Sequence, residues 1–495
     1  MAGGAALPLP NSVRLRLPTK LAYGFGSIAY GIKDNGFSTL LLLFYNQVVG
    51  LPASTVGLAI MLALILDAFI DPVIGHLSDQ TRSRWGRRHP FMYAAAIPIG
   101  ICYLLLWNPP TGNETVTVVY LVAVAILVRT MLSCYEVPSS ALAPELTSDY
   151  HERTSVLGYR YLFGWLGGMG MLLLTFSVFL APSAQYPVGQ LNPEGYKTYS
   201  FVAAAIMVVA ILISAYGTHS QIPRLPRFEG TRSRVRETFT GIVRTLRNKA
   251  FAILIVAGIF NYTNQGLNFA LSTYFNTFLW EFPAWILAVF TVAVLIGVAL
   301  AFASATRLSR IWGKRQTAVR FAVVYSFLAV APFMLRYLGW FPANGDPMLL
   351  PVLMALTTFA VALGVGGMIL GASMMSDVVE QAQERSGERS EGLFFAGSFF
   401  MQKCVSGIGL FLSGALLSAV AFPEAAVPGE VPQPVLDNLI LSYSGITVVL
   451  GLIGAAVIAR FPISEADHVE RLARLAETAS HANPLPGSEA QAPAS

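Results

Sequence analysis

The sequence predicts an all-α polytopic membrane protein, twelve transmembrane helices in two six-helix pseudo-symmetric bundles, on three observations. Of its 495 residues 55% are hydrophobic and only 12% charged, with a mean hydropathy of +0.59. That is more apolar surface than one soluble core can hide. Long apolar runs recur along the chain, each close to the ~20 residues that cross a bilayer. Arginine and lysine gather in alternate loops.

The spans are expected at 21–48, 54–77, 90–107, 116–143, 155–181, 198–217, 250–275, 282–304, 319–340, 347–375, 393–422 and 434–461. Residues 1–20 hold Arg14, Arg16 and Lys20 but no apolar stretch or small-residue cleavage site, so they read as a short cytoplasmic tail rather than a signal peptide. Arg82, Arg84, Arg87 and Arg88 follow the second span, Arg224 through Lys249 the sixth, Arg307, Arg310, Lys314 and Arg315 the eighth, and Arg385 and Arg389 the tenth. The opposite loops, QVVGLPAS, NPPTGNETV, APSAQYPVGQLNPEGYKTY and AFPEAAVPGEVPQP, carry almost no base beyond Lys197. The positive-inside rule then puts both termini in the cytoplasm of a multi-pass protein of a cell inner or plasma membrane.

The basic, soluble-looking stretch 219–249 reads as a cytoplasmic linker between an N-terminal bundle, 21–218, and a C-terminal bundle, 250–461; residues 462–495 read as a cytoplasmic, mostly disordered tail. RSRWGRRHP at Arg82–Pro90 and LSRIWGKRQ at Leu308–Gln316 each follow the second span of their half, the internal symmetry expected of paired bundles. The pI near 9.0 comes from such loops and points to orientation and lipid headgroups, not nucleic acid. Cys102, Cys134 and Cys404 fall in apolar segments and read as small packing residues. No phosphate-cradling GxxxxGK[ST] loop is present, which argues against an ATP-driven pump, and no Ser/His/Cys constellation suggests an enzyme. A monomer without a cofactor is expected.

Charges inside the spans carry the functional reading, because a charge at mid-bilayer costs roughly 2.5–3.5 kcal/mol on insertion scales and has to face a partner or a wet cavity. Lys33 and Asp34 lie in span 1, Asp67 and Asp71 in span 2, Arg129 and Glu136 in span 4, Arg160 in span 5 and Lys403 in span 11. Asp67 and Asp71 share one helix face, as do Arg129 and Glu136. Convergent carboxylates suit a hard cation such as Na⁺, or a shared proton. Arg129 adds a fixed positive charge that would neutralise one carboxylate and shift the site from Na⁺ toward H⁺. In span 7, Asn261, Asn264, Gln265 and Asn268 line one face, as a cavity wall or as interhelical hydrogen bonds.

At these residues the chain resembles the glycoside-pentoside-hexuronide:cation symporters, the melibiose-permease branch of the major facilitator superfamily. The likeness runs through KLAYGFGS, FYNQVVGL, DAFIDPVIGHLSDQTRSRWGRRHP, YEVPSSALAPELTSDYHERTSVLGYR and DVVEQAQERSGERSEGLFFAGSFFMQKCVSG. It implies cation-coupled transport of a sugar or glycoside by alternating access. Asp67, Asp71 and Glu136 would form the coupling-cation site beside Lys403, with Na⁺ or H⁺ as the ion. Arg160 would belong to the substrate side, and Glu136 would touch both ligands. Asp79, Arg82, Arg84, Arg87 and Arg88 would make a cytoplasmic gate loop. Sodium-dependent lysophosphatidylcholine transporters resemble the same family, so a lysophospholipid or other amphiphile is the alternative cargo.

Two departures bear on the cargo. The sugar-binding lysine and aspartate of span 1 fall on Tyr30 and Gly31, while Lys33 and Asp34 stand about one helical turn later. The stacking tryptophan falls on Ser140, leaving Tyr135, Tyr159, Tyr161 and Trp165 as nearby aromatic surface. With Asn261, Asn264 and Asn268, the substrate side is expected to comprise Lys33, Asp34, Glu136 and Arg160.

Overall fold

The structure, a computed structural model, describes residues 15–147, 150–225, 240–241, 243–386 and 391–463. The tails up to residue 14 and beyond 463, positions 226–239 of the expected linker and Arg389 lie outside the described residues. Those described form twelve long helical elements and no strand. The first, α1 (17–48), is composite: Leu17–Phe25 and Ser27–Asn35 lead into wide π-helical turns at Gly36–Leu40 and Phe44–Val48, with Leu41–Leu43 between them. The others are α2 (Ala53–Gln80), α3 (His89–Leu106), α4 (Glu114–Leu146), α5 (Tyr150–Leu174, continued by Thr175–Phe179) and α6 (Pro193–His219). After them come α7 (Lys249–Tyr274, continued by Phe275–Leu279), α8 (Ala284–Trp312), α9 (Lys314–Tyr337), α10 (Leu349–Ser386), α11 (Glu391–Ala419) and α12 (Gln433–Ile458). Eleven of these, all but α1, are long and apolar enough to cross a membrane.

Local chemistry sets where helices begin. The side chains of Asn113, Asn192 and Asn248 accept hydrogen bonds from the backbone N–H groups of Val116, Glu194 and Phe251, capping α4, α6 and α7. Proline in the first turn opens α3, α6 and α12, where its missing N–H costs nothing. Several helices outrun the hydropathy-based spans on the basic-loop side: α8 reaches Trp312 and α10 reaches Ser386. Hydropathy marks the hydrocarbon layer, whereas a helix continues through polar residues beyond it.

Packing repeats with a shift of six helices. The pairs α1·α5, α1·α6, α2·α4, α3·α4 and α3·α6 recur as α7·α11, α7·α12, α8·α10, α9·α10 and α9·α12. The halves meet through α2·α11 and its symmetry mate α5·α8, with α1 against α7 between them. On the basic-loop side each half carries the same clamp. Arg87 and Arg88 bind Glu145 at the end of α4 at 2.8 and 2.9 Å, and Lys314 binds Asp377 near the end of α10 at 2.7 Å.

The opposite side holds a run of bonds between the halves. The Gln47 amide donates to the Pro423 carbonyl at 3.0 Å and accepts from the Ala426 N–H at 2.8 Å. Tyr274 donates to Asn46 at 2.8 Å, Thr273 to the Thr39 carbonyl at 3.1 Å and Gln190 to the Phe282 carbonyl at 2.8 Å. There α2 and α11 touch backbone to backbone: a Cβ on Gly57 would lie 3.1 Å from both the Leu410 carbonyl oxygen and the Phe411 Cα, and one on Gly414 would collide with the Ala53 carbonyl. Gly414→Val should wedge this seam apart. Overpacking of this kind costs ~1–3 kcal/mol, so gradient-driven uptake should fall roughly 10-fold or more, and a cysteine placed at Thr39 should label faster from the side opposite the basic loops.

Candidate functional site

Asp67 sits one helical turn before Asp71 on α2, and both are next to a proline-bearing stretch. Pro72 follows Asp71, and Pro138 lies two residues after Glu136 on α4. A proline inside a helix lacks an N–H and clashes with the carbonyl four residues back, here those of Ala68 and Cys134. The helical ladder is thus interrupted beside the part-buried Asp71 and Glu136.

Asp67 is 2% exposed and fully partnered. Its Oδ2 accepts from the Arg129 guanidinium at 3.0 Å and from Lys403 Nζ at 2.9 Å, and its Oδ1 accepts from Ser133 Oγ at 2.7 Å. Arg129 and Ser133, four apart on α4, clamp the carboxylate from one side; Lys403 reaches it from α11 in the other half. Lys403 also donates to Asp71 Oδ2, while Asp71 Oδ1 is buried without a partner. The Arg129 guanidinium lies over the Phe37 ring at 4.8 Å, which holds it in place.

Each of the three carboxylates expected to share one cage is ion-paired. Glu136 Oε1 is bound by Arg160 at 2.5 Å, and among the described residues no three His, Cys, Asp or Glu side chains form a group able to hold a metal ion. In this structure the residues of the expected cation site at Asp67, Asp71 and Glu136 lie in two separate ion-paired clusters, because each fixed cation draws its own carboxylate. In the second, Arg160 donates to Tyr23 OH at 3.2 Å and Ser139 Oγ at 3.0 Å, and Tyr23 donates to the Ser139 carbonyl at 3.0 Å. Glu136 Oε2 remains a buried acceptor without a partner.

On α1, Lys33 is buried, 3.5 Å from Asp34 and over the Tyr30 ring at 4.5 Å, while the Asp34 side chain is 52% exposed. The α7 amides divide. Asn264 donates to the Thr447 carbonyl at 3.1 Å, and Asn268 donates to Asn264 and accepts from Tyr443, so both are spent on packing α7 against α12; Asn261 is exposed. Tyr135 is fully buried, whereas Tyr161 and Trp165 are exposed. In the basic loop, Arg88 joins Asp79 at 2.5 Å, Glu145 and Ser78, and Arg84 lies over Trp85 at 5.5 Å.

Sequence reasoning did not single out Ser133, Tyr23, Ser139 or Glu145. Ser133 had a signal, lying on the face that carries Arg129 and Glu136. Glu145 had one as well, an acid at a span end facing a four-arginine loop. Tyr23 and Ser139 had none, since only the packing of α1, α4 and α5 joins them to Arg160.

The family model described as MFS/sugar transport protein matches residues 22–465. The "Uncharacterized symporter sll1374" of Synechocystis is 28% identical over 93% of this chain and 96% of its own length. The "Isoprimeverose transporter" of Lactiplantibacillus pentosus is 25% identical over 81% of this chain and 80% of its own. The "Sodium-dependent lysophosphatidylcholine symporter 1-B" of Danio rerio is also 25% identical, over 91% and 88%. Among solved structures, a D-xylose-proton symporter superposes with a TM-score of 0.64 at 14% identity, covering 90% of this chain and 98% of that one. The matched span takes in both charged clusters and all of the helices but the start of α1: the chain belongs to the MFS/sugar transport protein family, the glycoside-pentoside-hexuronide symporter branch of the major facilitator superfamily, and is a membrane transporter.

Proposed function

We propose that this protein is a cation-coupled symporter of a sugar or glycoside that works by alternating access, as a monomer in a cell inner or plasma membrane with both termini cytoplasmic. The two moving bodies are the halves 21–218 and 250–461. The observation that carries the reading is the Lys403 bridge: one ammonium of α11 spans Asp67 and Asp71 of α2. The charge state of that pair and the closure of the two halves are therefore a single equilibrium. A cation that satisfies Asp71 frees Lys403, and a conformation that withdraws Lys403 calls for a cation. Ion and substrate then raise each other's affinity reciprocally.

The polar groups left to a substrate suit hydroxyls. Asp34 offers a half-exposed carboxylate beside Lys33, and Glu136 with Arg160 offers an acceptor and donors on neighbouring helices. A site of buried donors and acceptors penalises any ligand that leaves them unpaired by ~1–3 kcal/mol each. The family description and the isoprimeverose relative agree with this. The lysophosphatidylcholine relative supports the second reading, an amphiphilic cargo.

Gradient-driven uptake should be lost in Asp71→Asn, since the neutral amide no longer answers to Lys403; accumulation equal to the parent's removes Asp71 from the coupling machinery. Asp67→Asn should cost about 3–5 kcal/mol in unfolding stability, because it leaves buried cations without their carboxylate. Asp67→Asn with Arg129→Gln should regain most of that loss in thermal melts. Equilibrium binding of a glycoside panel should weaken at least ~10-fold in Asp34→Asn, the size of one lost charge-assisted hydrogen bond. Binding of an acyl-chain amphiphile but no glycoside moves the assignment to the second reading.

A further inference from the structure

The charges of the two clusters and of the Lys33–Asp34 pair on α1 balance without any added ion. The carboxylates Asp34, Asp67, Asp71 and Glu136 face the cations Lys33, Arg129, Arg160 and Lys403. A hard cation needs several oxygen ligands with free lone pairs. Around Asp67 most of those are taken: Arg129 and Lys403 fill both lone pairs of Oδ2, and Ser133 takes one of the two on Oδ1. Glu136 Oε1 is taken by Arg160. Asp71 Oδ1 and Glu136 Oε2 are the free buried carboxylate oxygens, one in each cluster.

The occupant of Asp67 is also one that does not leave. Guanidinium stays protonated at any physiological pH, and Arg129 is 4% exposed, held by the carboxylate on one side and the Phe37 ring on another. We infer that Arg129 is a tethered cation standing where Na⁺ would bind, and that it excludes Na⁺ from the Asp67–Asp71 pair. The donor set of this chain therefore does not fit the sodium ion that the family resemblance admits. Of the two coupling ions, the proton alone needs no such oxygen shell. The inference deepens the symport reading but asks only about the empty carrier, so it stands or falls without a known substrate.

The test is the melting temperature of the purified, detergent-solubilised protein in NaCl against choline chloride at equal ionic strength, with no substrate present. A specific ligand stabilises as its concentration passes its Kd. The parent should show no saturable, Na⁺-specific rise. Arg129→Gly, which removes the guanidinium and frees Asp67 Oδ2, should gain one, and Asp67→Asn in that background should abolish it. Arg129→Lys, which keeps a tethered cation, should stay silent like the parent. A saturable Na⁺ response in the parent that Asp67→Asn removes overturns the inference, and the parent measurement alone is enough to do so. A folded, monodisperse Arg129→Gly that stays silent to Na⁺ overturns it as well. Failure of glycosides to bind, measured separately by equilibrium binding, would count against the sugar reading and leave the Na⁺ result intact.

Discussion

A lysine ammonium from one half of the molecule, lodged between two carboxylates of the other, is the contact on which the rest of the arrangement depends. Away from water such a charge is costly to leave alone, so Lys403 holds α2 and α11 together as long as Asp67 and Asp71 are its counter-charges. The two aspartates are not equivalent. Asp67 keeps Arg129 and Ser133 from its own half if Lys403 departs, whereas the lysine is the cation paired with Asp71. Separation of the halves at this level leaves two charges unmet, the Asp71 carboxylate in one half and the Lys403 ammonium in the other, and a cation bound at Asp71 meets the first of them, which is a simple physical route for one bound cation to select one conformation.

The rest of the fold gives that contact leverage. Equivalent helix pairs recur in both halves, and equivalent base–acid clamps brace the basic-loop side of each, Arg87 and Arg88 with Glu145 in one and Lys314 with Asp377 in the other. Each half is thereby stiffened within itself. Between halves, the side opposite the basic loops is closed by backbone contact at Gly57 and Gly414 and by neutral hydrogen bonds from Gln47, Gln190, Thr273 and Tyr274. Neutral bonds exchange readily for water, so that seam opens at lower cost than the clamps that keep the halves rigid.

The Glu136–Arg160 cluster sits beside this machinery and is not joined to it by an ion pair among the described residues. It joins α4 and α5 with Tyr23 of α1, all in one half, and leaves one buried carboxylate oxygen free. With Asp34 half-exposed on α1, the N-terminal half supplies most of the charged polar surface at mid-membrane. The C-terminal half contributes Lys403, and the α7 asparagines Asn264 and Asn268 are spent on holding its own helices together.

The amino-acid sequence by itself determined the membrane environment, the helix count and the identity of the charged residues. Those follow from local quantities: the length of apolar runs, the basic loops and the intolerance of hydrocarbon for an isolated charge. Periodicity also placed Asp67 with Asp71, and Arg129 with Glu136, on shared helix faces. Which charge meets which was a tertiary decision. Arg129 chose Asp67 rather than Glu136 on its own face, Arg160 took Glu136, and Asn264 and Asn268 turned to α12, because partners for a buried charge or amide are set by the angle and depth at which helices cross. Residues hundreds of positions apart, such as Asp67 and Lys403, acquire a distance only when two bundles close on each other.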